Sequence, residues 1–394
     1  MKRIILIMTA MLMVMLSACQ ESPHELHVIT NDTGTSAPAD PYADVSETEL
    51  EIPEGMVTKY ASLDFDKRMQ DAYDDIVDTI SGFENKSLIP LTVTTSDYSK
   101  ILGIVRCEQL AFFYLENRRV GEYNSSAQTF EIDFQYKYSI KEVNIMLRQT
   151  EEAAKQILAL TDDSMSDYEK LKIFHDYLVR NVESTVDGEH ADSLYGALVE
   201  GKALCEGYAK AFSYLCNLAG IENMIVTGFT DIDHMWNMVK LGDSWYHVDI
   251  GWDKPTEALS ARCPDLVLYQ YFLASDSVIQ NDHRSISRSL GDPPVADSDE
   301  MSYFVHEGKY AQDYSEALGI IEDTCRSCID SGKNYFLIKL DSSNLYLSTL
   351  NELTRPNDDE SSDIQNIADK LGYKGNISYT DYYRNYRILI FILD

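Results

Sequence analysis

The chain has 394 residues and a formal net charge of −32, a length that predicts two or three domains. So acidic a protein does not bind nucleic acid through a general basic surface, because such binding requires Lys and Arg to neutralise phosphates. Anionic lipid headgroups also repel it, whereas positively charged peptides or polymers are compatible partners.

The first 19 residues predict a targeting signal. Lys2 and Arg3 precede an apolar run over residues 4–16, which is too short for an ordinary membrane span. The run ends in Leu-Ser-Ala-Cys at Cys19, which resembles the lipobox of bacterial lipoproteins. That resemblance implies a diacylglycerol on Cys19 and a lipid-anchored protein on the extracytoplasmic side of the cell membrane. A cleaved secretory signal and an uncleaved anchor are the alternatives.

Residues 20–58 predict a disordered acidic tether. They contain nine carboxylates and no Lys or Arg, and four prolines interrupt any regular element. A segment of this composition cannot bury enough apolar surface to offset the entropy of ordering. The sequence therefore predicts a spacer between the membrane and the folded part.

Residues 59–138 predict a small N-terminal α/β region. Apolar residues recur at helical spacing in two stretches and alternate in another. The predicted helices cover residues 63–83 and 96–115, and the predicted strands cover 88–93 and 129–138.

A central domain is predicted over residues 139–290. Ser139 followed by Glu142, and Ser166 followed by Glu169, have the spacing of capping boxes, which predicts that a helix begins at each. Gly-Asp-Pro-Pro at 291–294 predicts the linker that ends the domain.

Cys205 is predicted to stand at the start of a third helix, because apolar residues recur at helical spacing from 206 to 219. The unpaired N–H groups and the dipole at a helix N-terminus favour a thiolate, so we expect the pKa of this thiol below that of a free cysteine. Its own backbone N–H is a candidate oxyanion donor. Gly207 allows backbone or substrate to approach closely.

His234 and Asp249 follow on a predicted hairpin. Gly242-Asp243 is a strong two-residue turn signal between two apolar strands. With that turn, His234 and Asp249 share one face of the sheet, one diagonal step apart, whereas a slip of one residue would separate them. His247 lies nearer the turn and is the weaker candidate base.

Thiol, imidazole and carboxylate in this order can form a thiolate–imidazolium pair oriented by a carboxylate, which is the machinery of acyl transfer through a thioester. The alternative is structural, since a cysteine in a helix is usually a small buried hydrophobe. Cys216 fits that alternative. For Cys205 the helix start, the hairpin and the chain order together favour catalysis.

Three motifs carry a family resemblance. Residues 194–209 around Cys205 look like the nucleophile segment of the transglutaminase-like superfamily. His-Met-Trp-Asn at 234–237 resembles its His-x-Trp-Asn motif, and Trp-Tyr-His-Val-Asp-Ile-Gly-Trp-Asp at 245–253 resembles its third motif. Residues 167–178 are similar to the helix that usually opens the domain.

The resemblance implies an α+β, papain-like core with Cys205 as nucleophile, His234 as general base and acid, and Asp249 as the group that orients the imidazole. Tyr195 is a candidate second oxyanion donor. The superfamily includes cross-linking enzymes, peptidases, amidases and forms that have lost catalysis. No metal or other cofactor is implied.

Residues 297–394 predict a small C-terminal α+β domain with central strands over 334–340 and 387–393. Cys325 and Cys328 form a C-x-x-C within a predicted helix over 313–331, without the strand-then-turn setting of a redox motif or a second pair for zinc. The eight histidines are scattered, so the sequence predicts no metal cluster.

The sequence thus predicts a membrane-anchored cysteine enzyme that acts on amide bonds of a protein or peptide substrate, with the cell envelope as one source. Peptidase or amidase activity leads, and transfer of protein glutamine acyl groups to amines is second. The competing class is a non-catalytic lipoprotein that keeps the fold to bind peptide or cell wall. A third alternative is an assembly lipoprotein whose flanking domains carry the function.

Overall fold

The computed structural model describes residues 41–124, 126–284, 291–355, 362–380 and 383–394. The predicted signal and Cys19 lie outside these ranges. Two compact units divide the chain after Asp44. Of the first unit only the turn at residues 41–44 is described. The second unit, Val45–Asp394, contains every element named below.

The N-terminal region packs two helices on a three-stranded antiparallel sheet of order β1-β3-β2. Asp66 and Thr94 cap the two helices through side-chain bonds to backbone N–H groups. The sequence predicted both helices and two of the strands, but not β2. The elements are α1 Lys67–Ser81, β1 Lys86–Pro90, α2 Thr95–Glu108, β2 Leu115–Asn124 and β3 Thr129–Tyr136.

The predicted tether is wrong for its last part. Val45 and Met56 are buried, and Met56 belongs to the main core. Asn144 holds the same stretch through bonds to the Ser46 and Glu49 carbonyls and the Glu51 N–H. A few apolar side chains and one buried amide therefore order residues 45–58, despite the acidic composition.

The central part places a helix against a four-stranded antiparallel sheet of order β6-β7-β8-β9. The capping boxes at Ser139 and Ser166 are present as predicted. The elements are α3 Ile140–Leu158, α4 Asp167–Asn181, β4 Glu183–Ser184, β5 Lys202–Ala203, α5 Cys205–Leu218, β6 Asn223–Phe229, β7 Asp233–Leu241, β8 Ser244–Val248, α6 Glu257–Arg262, β9 Phe272–Ala274 and α7 Asp276–Ile279.

The C-terminal part is a second four-stranded sheet of order β10-β11-β13-β12, covered by helices. Both central strands predicted from the sequence are present. The elements are α8 Tyr303–His306, β10 Tyr310–Ala311, α9 Tyr314–Ser331, β11 Tyr335–Leu340, α10 Ser343–Thr354, α11 Asp363–Lys370, β12 Ile377–Thr380 and β13 Ile388–Leu393.

Strand β13 joins two cores. Its alternate residues Ile388, Ile390 and Ile392 belong to the main core, which begins at Met56, and the other three belong to a separate C-terminal cluster. One hydrophobic core runs through the N-terminal, central and C-terminal parts. The domain boundaries near residues 138 and 290 therefore stay predictions. The α+β fold class is confirmed.

All six described cysteines are free thiols. Cys325 and Cys328 are buried on α9, and the Cys328 Sγ donates to the Tyr335 carbonyl at 3.0 Å. Burial raises the pKa of both thiols, which makes them poor nucleophiles and fits a structural role. Across the described ranges, no helix combines the length and apolarity needed to cross a membrane.

Gly207 lies where only glycine fits. A Cβ at this position would stand 2.4 Å from the Ala191 carbonyl oxygen, a backbone atom that cannot rotate away. Replacing Gly207 with alanine should therefore lower the free energy of unfolding by about 3 kcal/mol, even though alanine favours helix. The measurement is urea unfolding.

Gly319 of α9 is the matched control, because a Cβ there meets nothing within 4 Å. Gly319→Ala should stabilise the protein by about 0.5–1 kcal/mol through helix propensity alone. Equal effects of the two substitutions would contradict the close approach at Gly207.

Candidate active site

Cys205 is the first residue of α5 and is partly exposed. Two features hold this end of the helix in place: the Leu204 N–H donates to the Ala191 carbonyl at 2.7 Å, and Gly207 touches the same carbonyl. The N–H groups of a first helical turn lack intrahelical acceptors. The thiol therefore stands beside free backbone donors, as the sequence predicted.

Glu206, the next residue, ties the same turn to α2. Its buried carboxylate accepts a two-point contact from Arg106, with Nε at 2.8 Å from Oε1, and Lys210 lies 2.8 Å from Oε1. Arg–carboxylate forks are among the stronger polar contacts in proteins. This ion network fixes the start of α5 and hence the position of the thiol.

The hairpin has the register predicted from its turn. Leu241 pairs with Ser244, and Met238 pairs with His247. The diagonal contact is also present, since the His234 Nε2 lies 2.6 Å from the Asp249 Oδ2. Both side chains are buried. On the helix side, the Asn237 amide donates to the Ala209 carbonyl at 3.0 Å, which joins β7 to α5.

His234 is poised as an imidazolium. Burial lowers its pKa, but the Asp249 carboxylate outweighs burial and, with a hydrogen bond and charge from Cys205, raises the pKa to about 10. Burial alone would raise the pKa of Asp249, but the charge of His234 and bonds from two imidazoles hold it well below its usual range. Since Nε2 is bound to Asp249, Nδ1 is the ring nitrogen left to interact with the thiol.

The structure thus brings the three predicted residues together: the imidazole bonds to the carboxylate, and the thiol is near enough to the imidazole to raise its pKa. A thiol beside an oriented base is the arrangement that nucleophilic catalysis requires. The carboxylate keeps the imidazole in one tautomer and stabilises its charged form.

A second imidazole contacts Asp249, and the sequence did not single it out. The His283 Nε2 lies 2.9 Å from the Asp249 Oδ2, and its Nδ1 lies 2.7 Å from the Asp282 Oδ1. His283 follows α7, 34 residues from Asp249, where no motif or strand register points to it. Trp252 adds its backbone N–H to the other Asp249 oxygen at 3.2 Å.

His234, Asp249 and His283 also meet the geometry of a metal group, with ligand atoms within 4.8 Å of one another. The histidines are scattered in the sequence, which predicted no metal cluster. Folding nevertheless brings two of them to one carboxylate. Two hydrogen bonds, one from each imidazole to the same Asp249 oxygen, link the three side chains.

We expect His283 to contribute to the free energy of unfolding, although no sequence motif contains it. Replacing it with leucine leaves Asp249 with one donor fewer and Asp282 without its contact to Nδ1, so the free energy of unfolding should fall by about 3 kcal/mol. His283→Gln retains one donor and should cost less. Urea unfolding of the two variants checks this, and equal losses would contradict a role in hydrogen bonding.

His247 is a structural residue. Its Nδ1 accepts the Trp236 indole N–H at 3.0 Å, and its Nε2 donates to Asp276 at 2.9 Å. Burial lowers the pKa of this imidazole. Because both ring nitrogens are bound away from Cys205, His247 is not available as the base, as its position near the turn predicted.

Tyr195 does not direct its hydroxyl to the thiol. Its Oη donates to Gln149 Oε1 at 3.1 Å, and its ring stacks on Phe113. The sequence offered Tyr195 only as a candidate second oxyanion donor. The contact with α3 accounts for the hydroxyl instead.

Asp253, the last residue of the third motif, forms a buried pair with His175 of α4 at 3.1 Å. Its other oxygen accepts the Tyr271 N–H at 2.9 Å, and the Tyr271 carbonyl accepts the Asp249 N–H at 3.3 Å. Asp253 thus fixes the chain that positions Asp249, while burial raises its own pKa.

Comparison with known proteins agrees with this geometry. Residues 153–250 match the family model of the transglutaminase-like superfamily. This stretch is a transglutaminase-like domain. It contains Cys205, His234 and Asp249, and it coincides with most of the central part of the fold.

Two curated proteins resemble part of this chain. A kyphoscoliosis peptidase from Homo sapiens is 30% identical over 96 residues, which cover 21% of this chain and 14% of that protein. The one from Mus musculus is 24% identical over 143 residues, which cover 32% of this chain and 22% of that protein. The chain therefore spans less than a quarter of either relative.

Solved structures also resemble part of the chain. One is a transglutaminase, at 12% identity and a TM-score of 0.25, with 40% of this chain and 48% of that one covered. Another is described as a cysteine protease from Cytophaga hutchinsonii, at 14% identity and a TM-score of 0.23. The match covers 34% of this chain and 61% of that one.

Proposed function

We propose that the chain is a cysteine enzyme that acts on amide bonds through a thioester intermediate. The observation that carries the proposal is the meeting of three side chains: His234 bonds to the Asp249 carboxylate at 2.6 Å, and the Cys205 thiol is near enough to the same imidazole to raise its pKa. A merely structural cysteine needs no such partners.

In the proposed reaction the Cys205 sulfur, as a thiolate, attacks the carbonyl carbon of the substrate amide. The N–H groups at the start of α5 stabilise the oxyanion that forms. The C–N bond then breaks as His234 gives its proton to the leaving nitrogen, which leaves a thioester on Cys205 and a neutral imidazole.

His234 next acts as a base in the second step. It takes a proton from water, whose oxygen attacks the thioester carbonyl, and the acid product leaves as the thiolate re-forms beside the imidazolium. If a primary amine attacks instead, a new amide forms. Hydrolysis is our leading proposal, and acyl transfer is second.

We further propose that Cys19 carries a lipid anchor that holds the enzyme on the extracytoplasmic side of its membrane. Two acyl chains on one residue give stable attachment. Cys19→Ser should move the protein from the membrane fraction to the soluble fraction. An unchanged distribution would contradict the anchor.

The function is tested with the full chain and a mixture of peptides that offers main-chain amides, glutamine side chains and a biotinylated primary amine. Mass spectrometry should find cleaved or deamidated peptides with the wild type and none with Cys205→Ala. Incorporation of the amine at glutamine would place acyl transfer first. The enzyme proposal would be overturned if the peptides stayed intact with both proteins and Cys205→Ala still bound them. That result would favour a binding module.

A further inference from the structure

A cleft of about 620 Å³ opens beside α4, at the contact between the transglutaminase-like domain and the C-terminal sheet. We call it the lysine cleft. Its volume lies within the range of small-molecule sites, and it contains neither Cys205 nor His234 nor Asp249. The groups that matter here are Lys172, Arg180, Tyr269, Tyr303, Lys309 and Lys333.

Four cations meet in the lysine cleft of a chain whose net charge is −32. Two of them share one carboxylate, because the Asp176 Oδ2 lies 2.8 Å from Lys172 and 3.4 Å from Arg180. Within the part of the chain that the structure describes, Lys309 and Lys333 have no ion pair within 4.0 Å. Asp176, Glu307 and Asp323 also line the cleft, so its four cations exceed its carboxylates by one.

Aromatic rings fix where these charges stand. Tyr269 and Tyr303 stack face to face with centroids 3.7 Å apart. The Lys172 amine lies 4.7 Å from the Tyr269 ring, and the Lys309 amine lies 4.7 Å from the Tyr303 ring. Lys309 also donates to the Tyr303 hydroxyl at 2.7 Å. Cation–π contacts and this bond hold the amines at defined positions.

The arrangement is electrostatically costly as it stands. Burial lowers the pKa of the Lys309 amine, Glu307 raises it, and the nearby Lys172 and Lys333 lower it by smaller amounts. Like charges that approach one another in a partly dry cleft repel more strongly than in water. A bound anion would remove this repulsion.

We propose that the lysine cleft binds a small oxyanion with at least two negative charges, either a phosphate or a dicarboxylate. Ammonium groups bind such oxygens through charge-assisted hydrogen bonds, and two unpaired amines match two charges. The cations of the cleft attract an anion, whereas the rest of this acidic surface repels it.

The test is the thermal midpoint of the full chain in sodium phosphate and in sodium succinate, each compared with sodium chloride at matched ionic strength. Matched ionic strength is required because any salt screens the net charge. A ligand that binds only the folded state raises the midpoint as its concentration rises. We expect phosphate or succinate to raise it above the chloride value, and which of them does so identifies the ligand class.

The double variant Lys309→Met/Lys333→Met should need at least about ten times more anion to reach the same rise in thermal midpoint. Each lost ammonium removes a charge-assisted bond to the anion. Lys374→Met, which removes an exposed lysine outside the cleft, should leave the shift unchanged. The variant's midpoint in chloride reports its folding, and if it is unfolded, the exposed Lys333→Met takes its place. Equal midpoints in all three salts, or a full shift in the cleft variant, would overturn the site.

Discussion

Cys205 of the wild type should react with iodoacetamide about 100-fold faster near neutral pH than Cys205 of His234→Ala. The Asp249 carboxylate raises the pKa of His234 to about 10, so the imidazolium is present throughout neutral pH and is lost only as the pH rises through about 10. Its positive charge favours the thiolate, which is the nucleophile. The measurement is the rate of alkylation against pH, followed by mass spectrometry of the Cys205 peptide.

The gap between the two rates should narrow as the pH rises past about 10, where His234 loses its proton. Cys107 and Cys216 serve as internal references, because they are buried and burial raises the pKa of each. His306→Ala, which removes an exposed histidine, should behave as the wild type. Matching pH profiles for wild type and His234→Ala would show that no working pair exists and would favour the binding module.

Asp249→Asn should slow acylation of Cys205 by p-nitrophenyl acetate about 10,000-fold, which is the order of loss for such a change in a catalytic triad. One Asp249 oxygen accepts from both His234 and His283. An amide in its place removes the charge that keeps His234 protonated and offers an N–H where an acceptor is needed. The rate of formation of acetylated Cys205, followed by mass spectrometry, gives the result.

Asp276→Asn is the matched control. Asp276 also holds a buried histidine, His247, at 2.9 Å. Neither residue belongs to the set of Cys205, His234 and Asp249. Its loss should change the acylation rate less than about tenfold while changing stability by about 1–3 kcal/mol. If both substitutions slowed acylation equally, the effect of Asp249→Asn would be one of folding and not of orientation.

Local signals were enough to predict most of the candidate site. A two-residue turn defines its own register, so Gly242-Asp243 placed His234 and Asp249 on one face before any tertiary information entered. Helical periodicity from residue 206 onward likewise placed Cys205 at a helix start. These features depend on neighbours in the sequence, and such patterns are readable from one chain.

What the sequence did not predict depends on distant contacts. His283 reaches Asp249 because β9 and α7 bring it back to the sheet, and nothing beside it in the sequence records that return. The order in residues 45–58 depends on Asn144, more than 90 residues away. Tyr195 was a candidate oxyanion donor, but its hydroxyl donates to Gln149 on another helix.

The hairpin also predicts which insertions evolution can accept in this domain. His234 and Asp249 are 15 residues apart, but what brings them together is the distance of each from the turn at Gly242-Asp243. Residues added at the turn leave both strands in pairing order, whereas one residue added within β7 or β8 would send one partner to the opposite face. Homologous chains should therefore vary in loop length here, and an alignment should be anchored on the strands and not on the spacing between the two residues.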